Sequence, residues 1–321
     1  MYDRVASNVR KSWALMAVFV VLLALVGLVA AEMTGAGFGL VGGLAAVAIL
    51  MAWASYFFSD SVALAMSAAK PADPGEHQRL HNVVEGLCLG AGIPKPRVFV
   101  VNDPAPNAFA TGRDPAHAAV AVTTGLLEKM GRDELEGVIA HELSHIKNRD
   151  SLVMTLSVTL MGVIVLVADV LIRATWWSGG SLGGGRGRRG AGSAGGIIVV
   201  IGLVILLLSP LIARMLHFAI SRRREFLADA DAVLLTRQPA GLIGALEKLR
   251  SDQAVVRTAS RATAHLWIES PIQRQAVGRG DAPKAWLNRL FDTHPPLEER
   301  IAALRATPLG GAGPEAGLPG R

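Results

Sequence analysis

Two histidines and a glutamate lie within the five residues His141-Glu142-Leu-Ser-His145. If this stretch is helical, the histidines are four residues apart and therefore lie on one face, one above the other. Two imidazoles in that register can bind one Zn²⁺ ion, while Glu142 lies beside the metal and can act as general base on a water molecule. The spacing therefore predicts a metal site with hydrolytic chemistry.

The residues before this motif predict the helix that it needs. Asp133 is a candidate N-cap, since its side chain can accept a hydrogen bond from a backbone N–H of the first turn. Glu134 and Glu136 add negative charge near the same end, which interacts favourably with the helix dipole. We therefore expect a helix that begins at Asp133 and carries both histidines.

A catalytic zinc ion usually takes three protein ligands and leaves one position open, so a third ligand is needed. The metzincin continuation requires glycine at position 148 and histidine at position 151, and Asn148 and Ser151 exclude that class. Glu225 could be a ligand from a second helix, with Asp229 four residues later accepting a hydrogen bond from a ligand histidine. On local grounds, an ordinary carboxylate pair beside Arg222–Arg224 explains the two residues equally well.

The composition is too apolar for an ordinary soluble domain and fits a membrane protein with a sizeable polar part. Of the 321 residues, 51% are hydrophobic and 18% are charged, and the mean hydropathy is +0.39. The net charge of +6 is explained by basic residues that flank membrane spans. Aromatic and basic residues are not interleaved as in nucleic-acid-binding segments, so we expect no nucleic-acid partner.

Four stretches are long and apolar enough to cross a bilayer, which requires about 20 residues. Basic residues precede the first stretch and follow the second, and the loop between them has none. The positive-inside rule therefore places residues from about 60 onward in the cytoplasm. Three arginines before the fourth stretch disagree with a second full hairpin, so either the first hairpin dominates the topology or the second does not fully cross. The four stretches are Trp13–Ala31, Phe38–Phe58, Ser151–Ile172 and Ile197–Ala213.

These spans predict a mainly α, polytopic membrane protein with about four transmembrane helices and a cytoplasmic α+β catalytic domain that contains a small β-sheet. The catalytic domain is expected in two halves, residues 70–150 with the histidine helix and residues 216–307 with the third ligand. The remaining parts are an N-terminal transmembrane hairpin (1–69), a second hydrophobic hairpin with a Gly/Arg-rich loop (151–215) and a disordered tail (308–321).

The first half of the catalytic domain is expected to hold one amphipathic helix and a small sheet. The helix is predicted over Gly75–Gly90, and strands over Arg97–Val101 and Ala116–Thr123, the latter in a hairpin with residues 107–113. If an edge of this sheet is exposed beside the histidine helix, an extended peptide could add to it by main-chain pairing. The alternative is that the strands only pack.

Five short motifs occur in a fixed order along the chain, with hydrophobic hairpins between them. They are Pro106–Gly112, Val122–Leu127, Glu134–Asp150, Arg224–Asp229 and Thr293–Pro296 with Arg300. Together they resemble the HtpX-like membrane zinc metallopeptidases, which are relatives of the Ste24-type CAAX prenyl proteases.

The resemblance implies a gluzincin-type catalytic domain that binds one Zn²⁺ per chain. His141, His145 and Glu225 are then the metal ligands. Glu142 is the catalytic base. The resemblance also implies a multi-pass enzyme of the bacterial cytoplasmic (inner) membrane whose active site faces the cytoplasm. Its expected partners are the lipid bilayer and misfolded or damaged membrane proteins as substrates, and the sequence contains no signal for an oligomeric state.

Three further residues are expected to support this chemistry. The family places the histidine equivalent to His294 near the zinc, where it could donate a hydrogen bond to the tetrahedral intermediate. The alternative is a turn histidine held by the two prolines after it. Asn107 is a candidate for holding the substrate backbone, and Arg300 for pairing with Glu225 or Asp229.

Other functions share some of these features. A CAAX-type prenyl-peptide protease has the same motifs but typically more spans, so four spans favour quality control of membrane proteins. A non-catalytic scaffold with structural zinc would need a closed site with four ligands. No further cysteine or histidine stands at ligand spacing near the motifs, and Glu142 would have no role. Charged residues on both sides of the motif argue against a protease site inside the lipid core.

Overall fold

The computed structural model describes most of the polar part of the chain and its first two long helices. Contacts divide the chain into two compact units, one of residues 1–8, 60–155 and 220–321 and the other of residues 9–59 and 156–219. The described residues are 2–34, 38–157, 159–160, 222–254, 256, 266–269 and 295–307.

Two long apolar helices begin the chain, α1 (Tyr2–Thr34) and α2 (Phe38–Met66). Within them, Val5–Leu25 and Val41–Met66 are long and apolar enough to cross a membrane, judged by length and composition. These windows overlap the first two predicted spans. Trp53 of α2 is more than half exposed, which suits a side chain in contact with lipid.

The second predicted hairpin is described only at its start. Residues 150–157 and 159–160 are helical. The rest of the third predicted span and the whole of the fourth lie outside the described residues.

A small mixed sheet forms the β part of the first unit. Its strands are β1 (Lys70–Pro71), β2 (Arg97–Val101), β3 (Ala108–Gly112) and β4 (Ala118–Thr123). Their order across the sheet is β1-β2-β4-β3, in which β2 and β4 are parallel and the other neighbours are antiparallel. The bounds predicted for β2 and the predicted hairpin of β3 with β4 are therefore confirmed.

Strand β4 begins two residues later than predicted because a side chain closes a turn before it. The Asp114 carboxylate accepts a hydrogen bond of 2.9 Å from the backbone N–H of His117, and Pro115–His117 form a 3-10 turn. Every residue of β3 and β4 is buried. Burial on both faces explains why β4 is a continuous run of small apolar residues and not an alternating one.

Helices cover the sheet and supply the rest of the core. They are α3 (Gln78–Ala91), α4 (Thr124–Lys129), α5 (Arg132–Lys147), α6 (Arg222–Thr236), α7 (Pro239–Ser251) and α8 (Leu297–Arg305). The core combines apolar side chains of the sheet with those of α3, α5, α6, α7 and α8. Helix α5 is central in this arrangement, since it packs against β3, α3, α6 and α7.

The start of α5 differs from the prediction. The N-cap is Gly131, and Glu134 accepts a hydrogen bond of 2.7 Å from its backbone N–H. Asp133 therefore lies in the first turn and does not cap the helix, so that prediction was wrong. The negative charge of the first turn remains at the favourable end of the helix dipole.

The helical run expected after residue 221 is two helices. Helix α6 ends where Arg237 adopts a positive φ of 54°, and Pro239 begins α7. A left-handed residue ends a helix, and proline is favoured in the first turn of the next because its missing N–H has no partner there anyway.

Helices α5 and α7 cross in close contact through two glycines. A Cβ atom added to Gly137 would lie 2.6 Å from the backbone nitrogen of Leu242, and one added to Gly241 would lie 2.3 Å from the backbone oxygen of Asp133. Both distances are shorter than any normal contact of a Cβ atom, so neither position can carry a methyl group. The crossing therefore depends on glycine at both positions, and it fixes the helix that carries both histidines.

Candidate metal centre and active site

Three side chains on two helices converge at one buried point. His141 and His145 lie one turn apart on α5, and Glu225 lies in the first turn of α6. All three are buried, and one potential ligand atom of each lies within 4.8 Å of the others. In the described part of the chain, this is the one group of such residues that could hold a metal ion.

The distances within this group fit a single zinc ion. The two Nε2 atoms are 3.2 Å apart, and the carboxylate oxygens of Glu225 are 3.5 Å from Nε2 of His141 and 3.6 Å from Nε2 of His145. Tetrahedral ligands about 2.0–2.1 Å from zinc are about 3.3 Å from one another. Two imidazoles and a carboxylate are also the ligand types that zinc takes in hydrolases of this kind.

A carboxylate lies behind the ring of His141. The Nδ1 atom of His141 is 2.9 Å from Oδ1 of Asp229, which lies one turn after Glu225 on α6. Arg300 of α8 holds this carboxylate from the other side, with Nε donating to Oδ2 at 2.9 Å and Nη2 donating to Oδ1 at 2.6 Å. An Nδ1–H that donates to Asp229 leaves Nε2 of His141 free of a proton for the metal.

A second carboxylate lies behind the ring of His145. Its Nδ1 atom is 3.3 Å from Oδ2 of Asp150, and both side chains are buried. Asp150 was not among the site residues predicted from the sequence. It stands five residues after His145, which is not a spacing that places two residues on one helix face. Asp150 reaches His145 because a turn at Asn148 and Arg149 interrupts the helix.

Arg300 is a buried cation that links the site to its surroundings. Its side chain has no exposed surface, and Nη1 donates to the backbone oxygen of Ile268 at 3.2 Å and lies 3.7 Å from Oε2 of Glu225. Burial would lower the pKa of this guanidinium, but the charge of Asp229 and hydrogen bonds to it raise that pKa above its usual value. Glu142, which is buried next to His141 in the chain, contributes to the same shift.

The carboxylates also control the ionisation of the site. Burial and the charge of Arg300 oppose protonation of His141, but hydrogen bonds to Asp229 and Glu225 raise the pKa of its imidazole to about 9. Burial would raise the pKa of the Asp229 carboxyl group, yet the charge of Arg300 holds that pKa below its usual range. A potential that favours a proton on His141 also favours a metal cation between the ligands.

Negative charge exceeds positive charge around the three ligands. Buried charges need partners of opposite sign, because desolvation is otherwise too costly. Among the described residues of the site, four carboxylates meet two guanidinium groups, and a divalent cation would balance the difference. The carboxylates are those of Glu142, Asp150, Glu225 and Asp229, and the guanidinium groups are those of Arg224 and Arg300.

Comparison with known proteins identifies the family. The sequence profile of peptidase family M48 matches residues 74–308, which include all three candidate metal ligands. This chain belongs to peptidase family M48. The resemblance to zinc metallopeptidases expected from the five motifs is therefore confirmed.

Relatives of this M48 peptidase are similar over nearly their whole length. A protease HtpX homolog of Caldanaerobacter subterraneus subsp. tengcongensis is 44% identical, and the match covers 95% of this chain and 97% of the relative. Protease HtpX homologs of Lactobacillus acidophilus and Tropheryma whipplei are 40% and 41% identical, with 95% of this chain and 99% and 98% of the relatives covered.

A solved structure with a weaker likeness is that of Ste24p from S. mikatae. It is 20% identical to this chain, with a TM-score of 0.48, and the match covers 95% of this chain and 67% of Ste24p.

Membership of family M48 makes this chain a zinc-dependent metalloprotease. The cluster of His141, His145 and Glu225 is a suitable place for the metal. In a peptidase, a buried glutamate next to a ligand histidine, such as Glu142, can act as a general base. A scaffold with structural zinc would not need that group.

Asn107 and His294 were also predicted as site residues of this M48 peptidase. The side-chain amide of Asn107 pairs with the backbone of Glu269, donating to its oxygen at 2.9 Å and accepting from its N–H at 3.3 Å. Asn107 thus holds a backbone segment of the chain itself. His294 lies outside the described residues.

The edge of the sheet beside Asn107 is covered. Ile268 donates its backbone N–H to the oxygen of Ala108 at 2.9 Å, and Trp267 forms an antiparallel bridge with Phe109 of β3. The Trp267 and Phe109 rings meet edge to face, with centroids 4.8 Å apart. Of the two alternatives for the sheet, an exposed edge is not found at this part of β3, because residues 267 and 268 pair with it.

Proposed function

We propose that this M48 peptidase is a membrane-bound endopeptidase that hydrolyses peptide bonds of misfolded or damaged membrane proteins. The observation that carries the proposal is the convergence of three ligand atoms at zinc spacing beside a buried glutamate. The HtpX homologs, similar over nearly their whole length, support the same class of enzyme. The two apolar helices supply candidate membrane anchors.

Each residue of the site has a role in this proposal. His141, His145 and Glu225 would hold one Zn²⁺ per chain. When bound, the ion supplies a Lewis acid that polarises the scissile carbonyl group and makes a nearby water molecule more acidic. Glu142 accepts a proton from the attacking water and passes it to the leaving amine.

The residues around the ligands orient them and the substrate. Asp229 fixes the ring of His141, and Arg300 holds Asp229 in place. His294 is proposed to donate a hydrogen bond to the carbonyl oxygen as it gains negative charge. Asn107 is proposed to position the substrate backbone, which requires that the substrate replace the backbone of Glu269 as the partner of the side-chain amide.

We place this enzyme in the bacterial inner membrane with four membrane spans and with the active site in the cytoplasm. The absence of basic residues between the first two spans supports this orientation. The proposed parts are a transmembrane hairpin (1–69), two catalytic segments (70–150 and 216–307), a second hydrophobic hairpin (151–215) and a tail (308–321).

A comparison of folded and unfolded membrane substrates tests the proposed function. The purified enzyme is mixed in detergent with one bacterial membrane protein, either native or unfolded by heat, and fragments are measured over time. We expect the unfolded substrate to be cleaved at internal bonds at least about tenfold faster, because a chain must be extended to enter a buried site. A chelator should stop both reactions, since the ligands then have no metal.

Two results would contradict this proposal. Equal cleavage of native and unfolded substrate would remove the preference for damaged proteins. Release of only the last three residues of a prenylated peptide, without internal cleavage of proteins, would favour the CAAX-type protease. Glu142→Gln is the control for contaminating proteases, because it removes the base without changing the size of the side chain.

A further inference from the structure

Each of the two histidines of the metal centre has a carboxylate next to its Nδ1 atom. The role of Asp229 is to fix the ring of His141, and Asp150 has the corresponding position at His145, with Oδ2 at 3.3 Å from Nδ1 of the ring. The opposite ring atom, Nε2, is the one that faces Glu225 and His141. Both histidines thus have a carboxylate at Nδ1, at 2.9 Å for His141 and 3.3 Å for His145.

Asp150 reaches this place because the chain turns after α5. Arg149 adopts a positive φ of 57°, and a new helical segment starts at Asp150. Without the turn, a residue five positions after His145 would point away from it. A left-handed conformation is costly for an arginine, so the surrounding structure must hold it.

A residue near the start of α1 holds the Asp150 carboxylate. The side-chain amide of Asn8, in α1, donates to Oδ1 of Asp150 at 2.6 Å and to the backbone oxygen of Asn148 at 2.9 Å. Asn8 is itself buried. Its amide therefore fixes both the carboxylate and the turn that presents it.

Arg224 connects Asp150 with Glu225, the third ligand. The Nε atom of Arg224 is 3.7 Å from Oδ1 of Asp150, and Arg224 directly precedes Glu225 in α6. Asp150 is thus in contact with the helix of His145, the helix of Glu225 and helix α1. A buried carboxylate with this many partners is costly to remove.

We propose that Asp150 is a positioning residue for the zinc ligand His145, and that Asn8 holds Asp150 in the required place. Asp150 accepts the Nδ1–H of His145, which fixes the tautomer that presents Nε2 to the metal and makes that nitrogen a stronger ligand. This inference rests on the proposed function, in which His145 binds zinc.

Asp150 and Asp229 are supported by different chemistry. Asp229 receives two hydrogen bonds from the charged guanidinium of Arg300, whereas Asp150 receives one from the neutral amide of Asn8 and lies farther from Arg224. Among the described residues, the positive charge nearest to Asp150 is thus farther away than the one that binds Asp229.

The test measures metal binding in the full-length protein in detergent, with Glu142→Gln as the parent so that the protein does not digest itself. Asp150→Asn, Asp150→Ala and Asn8→Ala are compared with this parent. The control is Asp103→Asn, because Asp103 is an equally buried carboxylate that caps a turn away from the ligands. Zinc affinity is measured by competition with a chelator, and the coordination by the visible spectrum of the Co²⁺ form.

We expect Asp150→Ala to raise the Kd for zinc by about 10–100-fold, the usual effect of losing the partner of a ligand histidine. The Co²⁺ bands should shift at the same time, because the ring of His145 is no longer fixed. Asp150→Asn and Asn8→Ala should change both quantities in the same direction by less. Asp103→Asn should leave the Kd and the spectrum as in the parent, even where it lowers the melting temperature.

Kinetics in the protein with Glu142 restored give an independent readout. At saturating zinc, Asp150→Asn should lower kcat with little change in KM, since the misplaced ligand affects the reaction and not substrate binding.

Other outcomes would overturn the inference in recognisable ways. If the parent binds one zinc and both Asp150 variants bind it equally well with unchanged Co²⁺ spectra, Asp150 does not position His145. If Asp150→Ala fails to fold, Asp150→Asn decides, and a parent-like Kd and spectrum for it would refute the role of Asp150. The same result for Asn8→Ala would refute the role of Asn8. If the parent itself binds no zinc, the proposed function fails and not only this inference.

Discussion

Arg300 carries a full charge and has no surface in contact with water. Its guanidinium group is stabilised by two hydrogen bonds to Asp229 and by the nearby carboxylate of Glu225. Removing one member of such a buried pair costs more than the pair contributes, because the remaining charge stays buried without its partner. Arg300 is therefore expected to matter for both folding and metal binding.

Arg300→Met tests this at the residue scale. The substitution keeps much of the volume and removes the charge, so we expect the free energy of unfolding to fall by about 3–5 kcal/mol. Zinc content should fall too, because Asp229 loses the group that aims it at His141. The measurements are thermal unfolding and metal analysis. Arg305→Met is the control on the same helix, since the ion pair of Arg305 with Glu247 is exposed and should contribute little. Equal effects of the two variants would refute the argument.

The limits of the sequence analysis are also visible at this scale. His141 and His145 could be proposed as ligands because four-residue spacing on a helix is a local pattern, whereas Glu225 was assigned through the resemblance of the five motifs to a known family. The support of Asp150 by Asn8 and the pairing of Asn107 with Glu269 could not be predicted, because both are contacts between residues far apart in sequence. Asn8 is 142 residues away from Asp150, and no local pattern links the two.

At the scale of elements, the position of α5 decides where the histidines lie. The strand β2 and the β3–β4 hairpin followed from turn residues and β-branched runs, which act locally. The break between α6 and α7 also had a local signal in Pro239, since proline is favoured in the first turn of a helix. The pairing of Trp267 with Phe109 at the edge of β3 had no local signal, because the two residues are far apart in sequence.

Gly137→Ala tests the crossing of α5 with α7. Alanine stabilises a helix by about 1 kcal/mol relative to glycine when nothing opposes it. At Gly137 the new Cβ would lie 2.6 Å from a backbone nitrogen of α7, so the helices must separate. We expect a net loss of stability of about 1–3 kcal/mol, as in other overpacked cores, together with weaker zinc binding.

The control for this prediction is Gly86→Ala in α3. A Cβ added there meets nothing within 4 Å, and the position is exposed. That variant should be as stable as the wild type or more so, with unchanged zinc affinity. If Gly137→Ala behaves in the same way, close contact at the crossing does not position α5. Unfolding by denaturant and chelator competition measure the two quantities.

At the scale of the whole molecule, the open question is how often the chain crosses the membrane. The first two spans have counterparts in α1 and α2, judged by length and composition. The second hairpin lies largely outside the described residues, and its arginine-rich loop conflicts with the positive-inside rule if both of its spans cross.

Single cysteines in a Cys88→Ala background test the topology in intact cells. Ala36→Cys, between the first two spans, should react with a membrane-impermeant maleimide from outside the inner membrane. Glu128→Cys in α4 should react only after lysis, because the catalytic segments are proposed to be cytoplasmic. Under the four-span proposal, Arg186→Cys should be labelled from outside like Ala36→Cys. Labelling of Arg186→Cys only after lysis would show that the second hairpin does not cross.

The central claim is that His141, His145 and Glu225 bind one catalytic zinc and that Glu142 is the base. It is tested most directly by measuring zinc per chain and casein cleavage together, in detergent, for the wild type, Glu142→Gln and Glu225→Ala. Glu136→Gln is the control, because this glutamate is on the same helix and pairs with Arg132 at the surface.

We predict about one zinc per chain in Glu142→Gln with cleavage reduced by at least about 100-fold, as expected for loss of a general base. Glu225→Ala should lose both zinc and cleavage, and Glu136→Gln should keep both. Wild-type cleavage by Glu142→Gln, or a full zinc content in Glu225→Ala, would contradict the assignment of these residues.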